Sequence, residues 1–125
     1  MRKLLLVLAI SGALVAGVVA TATAAPQATV ASSNVVHLSA PVSGLRYDQK
    51  VAHARAGRIE IVFVNHSALK HNVNVELGEK ELGHSATISH ATTRFFVTLK
   101  PGKYNYYCSV PGHEDAGMHG TLVVS

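Results

Sequence analysis

The sequence predicts an all-β domain, a sandwich or a barrel. Short runs rich in β-branched and aromatic residues follow one another at short intervals, turn-forming residues separate them, and helical periodicity is almost absent. No internal repeat is visible.

Ahead of that domain, Arg2 and Lys3 precede an apolar run from Leu4 to Ala20 and then the small residues Thr21 to Ala25. A basic start, an apolar middle and a small-residue site describe a secretory leader, with the cut expected after Ala24 or Ala25. The expected division is a leader over 1–25, a flexible linker over 26–34 and one domain over 35–125. If the leader stays on, its apolar run is at the lower edge of the length that spans a bilayer and would act as an anchor. No cysteine follows the run to accept a lipid, and no twin arginine precedes it.

Within the domain, Val35 to Leu38 predicts a short strand, broken by Ala40-Pro41-Val42-Ser43-Gly44. Leu45 to Tyr47 and Val51 to Arg55 are weaker strand signals. Ile59 to Val64 is the strongest, and its apolar residues on both faces predict a central strand. Asn65 to Lys70 reads as a loop that delivers His71. From there the period of two places His71, Val73, Val75 and Leu77 on one face and Asn72, Asn74 and Glu76 on the other. Gly78 to His90 loosens into an expected surface excursion with a short helical turn. Thr92 to Leu99 resumes as strand, with Phe95, Val97 and Leu99 on one face. Lys100-Pro101-Gly102-Lys103 is a tight turn by composition. Tyr104, Tyr106 and Cys108 then share a face, and Thr121 to Val124 makes the last strand.

Without the leader roughly 100 residues remain, enough for a single core. Two of the 11 basic residues, Arg2 and Lys3, belong to the leader, so the formal charge of +4 overstates that of the domain. There is no block of Lys or Arg and no basic stripe interleaved with aromatics, which argues against a nucleic-acid partner. Cysteine usage says more. An exported small domain normally spends cysteines in disulfide pairs, and here there is one. Left exposed in an oxidising compartment it would be oxidised, unless burial protects it or a metal holds it as thiolate.

That cysteine opens a loop between two strand-like runs in which Cys108, His113 and Met118 recur with four residues between neighbours. Thiolate, imidazole and thioether are donors that suit copper, and two histidines with one cysteine and a weak axial methionine make the blue-copper arrangement. His71 is the best candidate for the second imidazole, because it shares the inward direction of the core residues. The other histidines, His37, His53, His66, His84, His90 and His119, read as solvated surface groups.

The His71-Asn72 pair, followed by C-x-x-x-x-H-x-x-x-x-M and the closing run Gly120-Thr121-Leu122-Val123-Val124, resembles the cupredoxins, the blue copper proteins that include plastocyanins and azurins. The resemblance covers roughly Leu45 to the end. It implies a Greek-key β-sandwich with one copper ion, Cu(I)/Cu(II), held by His71, Cys108, His113 and Met118 and passing single electrons between transient protein partners. The Cys-to-His spacing is similar to that of azurins and the His-to-Met spacing to that of plastocyanins. It further implies that Asn72 links the two ligand loops, that a backbone N–H near it points at the sulfur, and that a partner docks on an apolar patch around His113 built from Ala68, Leu69, Val110 and Pro111. Glu114 and Asp115 would add steering charge beside it. Pro111, Gly112 and Gly117 are shape residues, while Tyr104 and Tyr106 are sheet packing. The expected protein is an exported monomer, in the periplasm, on the outer face of the envelope or secreted, and not an enzyme.

Two other functions fit some of the same residues. One is a copper-delivery protein of the cell envelope that uses the same ligands without redox cycling. The other is a secreted cysteine hydrolase using Cys108 with His113 or His71, which leaves Met118 without a role and supplies no recognisable orienting acid or amide. A thioether ligand argues against zinc as the native metal.

Overall fold

The computed structural model describes residues 33–125; the expected leader and most of the expected linker lie outside the described residues. The described residues form eight strands: β1 Val35–Ala40, β2 Val51–Ala54, β3 Gly57–Asn65, β4 Asn74–Leu77, β5 Lys80–His84, β6 Ala91–Leu99, β7 Gly102–Tyr107 and β8 His119–Val124. The described residues contain no helix.

Two sheets form, one of three strands in the order β1-β3-β6 and one of five in the order β2-β8-β7-β4-β5. The chain changes sheet repeatedly, and the crossings make β1 parallel to β3 and β2 parallel to β8, while the other pairings are antiparallel. This is the Greek-key sandwich implied by the resemblance. β3 is the central strand of its sheet, as its apolar residues on both faces predict: Ile59, Ile61 and Phe63 are buried inside and Val62 and Val64 are partly covered on the outside. The five-stranded sheet answers with Val75, Tyr104, Tyr106 and Leu122, and Val73, just ahead of β4, joins them. Alternate residues of the two facing sheets thus fill one core.

Three local expectations are corrected. Gly78 to His90 contains no helical turn. Gly78, at φ 61°, closes a tight turn and Lys80–His84 returns along β4 as a hairpin. Lys-Glu-Leu-Gly-His has no β-branched residue to announce a strand, and the pairing comes from the free edge of β4. Leu77 does not follow Val73 and Val75 into the core but is 56% exposed, as the last residue of β4 before the hairpin turn; the extra residue at the register shift is Leu82 of β5. Leu45 to Tyr47 is a run of bends with Tyr47 buried, not a strand.

One glycine is required by close approach. Gly120 on β8 faces Tyr106 on β7 directly, and a Cβ there would meet the Tyr106 ring at 2.3 Å. That ring cannot step aside, since it is 1% exposed and its hydroxyl donates to the Gln49 carbonyl at 2.6 Å. Gly120→Ala is therefore expected to lower unfolding free energy by about 1–3 kcal/mol through overpacking, read in denaturant titrations; unchanged stability would show that the ring has room to move.

Candidate metal centre

The site lies at the pole of the sandwich where β3 ends, β7 ends and β8 begins. Asn65, the last residue of β3, is buried and organises the loop that follows: its side-chain amide donates to the carbonyls of Leu69 at 2.8 Å and Ile88 at 2.7 Å, and its oxygen accepts from Ser67 N–H at 2.9 Å. The loop is thereby tied across to the segment before β6. His71 follows, not within β4 but in an isolated bridge, its N–H and C=O both bonded to Ile88 at 2.9 Å. Its side chain is fully buried, in the inward direction read from the alternation.

From the other side, β7 delivers Cys108, also fully buried. Cys108 N–H donates to the Met118 carbonyl at 3.0 Å, closing the loop at its neck, and Met118 N–H donates to the His113 carbonyl at 3.0 Å. Between them the chain winds in successive turns, with Gly112 at φ 81° and Gly117 at φ 108° in the left-handed region that a side chain disfavours. The main chain thus ties Met118 to both other candidate residues of its loop, and its side chain is fully buried at that pole.

The donor atoms converge. His71 Nδ1 lies 3.1 Å from His113 Nδ1, and the Cys108 sulfur lies 3.6 Å from the latter and 4.0 Å from the former. A first-row ion with bonds of about 2.0 Å to nitrogen and about 2.3 Å to sulfur, opened to trigonal angles, separates its donors by about 3.5 Å and about 3.7 Å. The triangle has the size and the donor chemistry for one such ion. Among the described residues these three form the one cluster of His, Cys, Asp or Glu side chains close enough to hold a metal. His37, His53, His66, His84, His90 and His119 are exposed and stand apart from it.

The electrostatics of His71 suit a metal ligand. Burial first, then the neighbouring His113, pushes the His71 pKa down, keeping the imidazole neutral and able to bind a metal. Burial pushes the Cys108 thiol up, opposed by the backbone N–H groups of Asn72 and Val110, which donate to its sulfur. Those two donors would stabilise the thiolate form that a metal requires.

Asn72 is the hub expected next to the first histidine, but it does not point outward. It is 6% exposed, and its side-chain oxygen accepts from Ser109 N–H at 2.9 Å while its amide donates to Ser109 Oγ at 2.8 Å and Thr87 Oγ1 at 3.1 Å. Residue 72 is therefore pinned to residue 109, and each neighbours a donor. Asn74 supports it, donating to the same oxygen at 3.1 Å. Asn65, Ser67, Ser85 and Tyr47 also brace this pole and were not legible as such. An Asn closing a strand before a Ser was the available signal for the first.

Comparison with known proteins gives the same answer. Residues 34–125 match the model of the copper-binding proteins of the plastocyanin/azurin family. Among curated protein sequences no significant relative matches. Among solved structures, dithionite-reduced auracyanin from Roseiflexus castenholzii is similar with a TM-score of 0.70 at 21% identity, over 75% of this chain and 98% of that one. Auracyanin A from Chloroflexus aurantiacus, described as a "blue" copper protein, gives 0.68 at 23% identity over 75% and 100%. An azurin from Methylomonas sp. strain J gives 0.64 at 16% identity over 75% and 99%. With a family match across the whole sandwich and a metal-sized triangle of nitrogen and sulfur donors at its pole, this chain belongs to the plastocyanin/azurin family of copper-binding proteins, and copper is its cofactor.

Proposed function

We propose that the protein is an exported blue copper carrier that shuttles single electrons between protein partners. His71, Cys108, His113 and Met118 would hold the copper, with the Met118 thioether as the weakest donor. The observation that carries this reading is the convergence of two Nδ1 atoms and one sulfur from segments far apart in sequence. Copper supplies a centre that changes charge by one unit; the chain's own residues supply the geometry. Both ligand segments are locked by hydrogen bonds within the chain, so the donors would need little rearrangement on a change of charge.

The burial of Cys108 supports a carrier over a cysteine hydrolase, because a fully covered sulfur with a raised pKa is neither accessible to a substrate nor activated as a nucleophile. Access to the centre runs through His113, which is only partly buried. Leu69, 51% exposed, Ala68 and Pro111, also exposed, and Val110, partly covered, are the candidate docking patch. A small patch of this kind suits a brief redox contact by a monomer. Export is supported by the leader expected over 1–25, with its apolar run and small-residue site.

Copper-loaded protein is expected to show an intense visible thiolate-to-copper band. Cys108→Ser should lose it, whereas Met118→Leu should keep the colour and raise the reduction potential, since the thioether donates to the oxidised ion. Stoichiometric copper without the band would end the blue-copper assignment. Leu69→Asp should leave band and potential in place but slow electron exchange with a partner by roughly tenfold or more, as expected when a charge is buried in a desolvated contact; undiminished exchange would move the docking patch elsewhere.

In the metal-free protein the pH dependence has a definite sign. The folded imidazole of His71 takes up its proton less readily than the usual value of 6.5. The unfolded chain therefore binds more protons below that pH, so the contribution is full above 6.5 and declines as pH falls towards the depressed folded value. Denaturant titrations at pH 7.5 and pH 5.5 should show lower stability at the acid end, and His71→Gln should flatten the difference. A dependence untouched by that substitution would assign it to other groups.

A further inference from the structure

We propose that Tyr47 is a positioning residue of the copper centre: its hydroxyl locks Asn72 so that the Asn72 N–H stays aimed at the Cys108 sulfur. The proposal rests on Cys108 being the copper thiolate. Tyr47 lies in the bends between β1 and β2, a stretch that contributes no candidate ligand, yet it is 1% exposed. Its hydroxyl donates to the Asn72 carbonyl at 2.5 Å.

The hydroxyl is aimed by both sheets at once. The Tyr47 ring meets Phe63 of β3 edge-on at 5.8 Å between centroids and Tyr106 of β7 at 5.4 Å. Burial first, and then the neighbouring Cys108, Tyr106 and Glu114, drive its pKa far above the ordinary phenol value. The oxygen therefore keeps its proton and donates at any working pH.

With this bond every polar group of Asn72 has a partner. The oxygen of its side chain accepts from Ser109 and Asn74, the amide donates to Thr87 and Ser109, the backbone N–H donates to Cys108, and the carbonyl accepts from Tyr47. The side chain alone cannot fix the main chain, because its bonds leave the torsions between amide and backbone free to adjust. Tyr47 removes that freedom on the carbonyl side, and the bridge of His71 with Ile88 removes it on the other. A hydrogen bond to the sulfur draws charge from the thiolate and favours the reduced ion, so a loosened N–H lowers the potential.

Tyr47→Phe keeps ring and volume and removes only the hydroxyl. Tyr106→Phe is the matched control, since that tyrosine is equally buried but donates to the Gln49 carbonyl, away from Asn72. Three quantities are read in full-length wild type and both variants: the reduction potential, the energy of the thiolate-to-copper band, and amide hydrogen exchange of Asn72 in the metal-free protein. Tyr47→Phe is expected to lower the potential, shift the band and speed Asn72 exchange several-fold, while Tyr106→Phe loses stability and leaves all three in place. Equal shifts in both variants, no shift in Tyr47→Phe, or a Tyr47→Phe chain that does not fold would each overturn the proposal, because the hydroxyl would then be structural only. A wild type without the blue band refutes the copper-thiolate assignment instead, and the Asn72 exchange rates still decide whether Tyr47 positions that residue.

Discussion

Two segments, one around residue 71 and one around residue 109, must be held side by side before any ion can bind between them, and Asn72 does this. Its carboxamide exchanges hydrogen bonds with both the backbone and the hydroxyl of Ser109, which ties the residue after one histidine to the residue after the cysteine. In the dry interior such paired polar bonds are strong when complete and costly when broken. The site thus inherits the cooperativity of the whole sandwich, since neither segment can drift without leaving buried groups unpaired.

The rest of the pole repeats the principle with different residues. Asn65 gathers the loop before His71, Ser85 Oγ accepts from Val73 N–H at 3.0 Å, and the Cys108 to Met118 backbone bond closes the ligand loop at its base. Lys50 adds an outer contact, its ammonium donating to the Gly117 carbonyl at 3.1 Å just ahead of Met118. Each clasp removes a degree of freedom that would otherwise be spent when the charge of the centre changes. A scaffold assembled in this way suits a reaction in which a charge arrives and nothing else should move.

Burial serves this chemistry in two opposing ways. It makes the free thiol harder to ionise and the imidazole harder to protonate, so a metal held there would have to displace the thiol proton but would meet a neutral imidazole. It also removes the sulfur from solvent and oxidants, which protects a lone cysteine. Among these candidate donors His113 is the one that is partly exposed.

The all-strand character, the central position of β3, and the roles of His71, Cys108 and His113 as potential donors were legible in the sequence because each rests on local chemistry: side-chain period, turn composition and donor type. Asn72 was legible only through the family resemblance, and its direction was not. Alternation places it opposite His71, yet a second layer of chain carrying Thr87 and Ser109 covers that face, so it is buried all the same. Lys80–His84 carries no strand signal of its own and became one because β4 offered an edge; Leu77 keeps its period yet is exposed at the hairpin end of β4. Tyr47 looked like part of a weak strand, and its contact with Asn72 joins residues 25 apart in the chain. The sequence by itself determined which atoms could bind copper. Only the tertiary structure decided that they meet, because the distance between 71 and 108 is closed by two sheets packing on a shared core and by hydrogen bonds that no local pattern encodes.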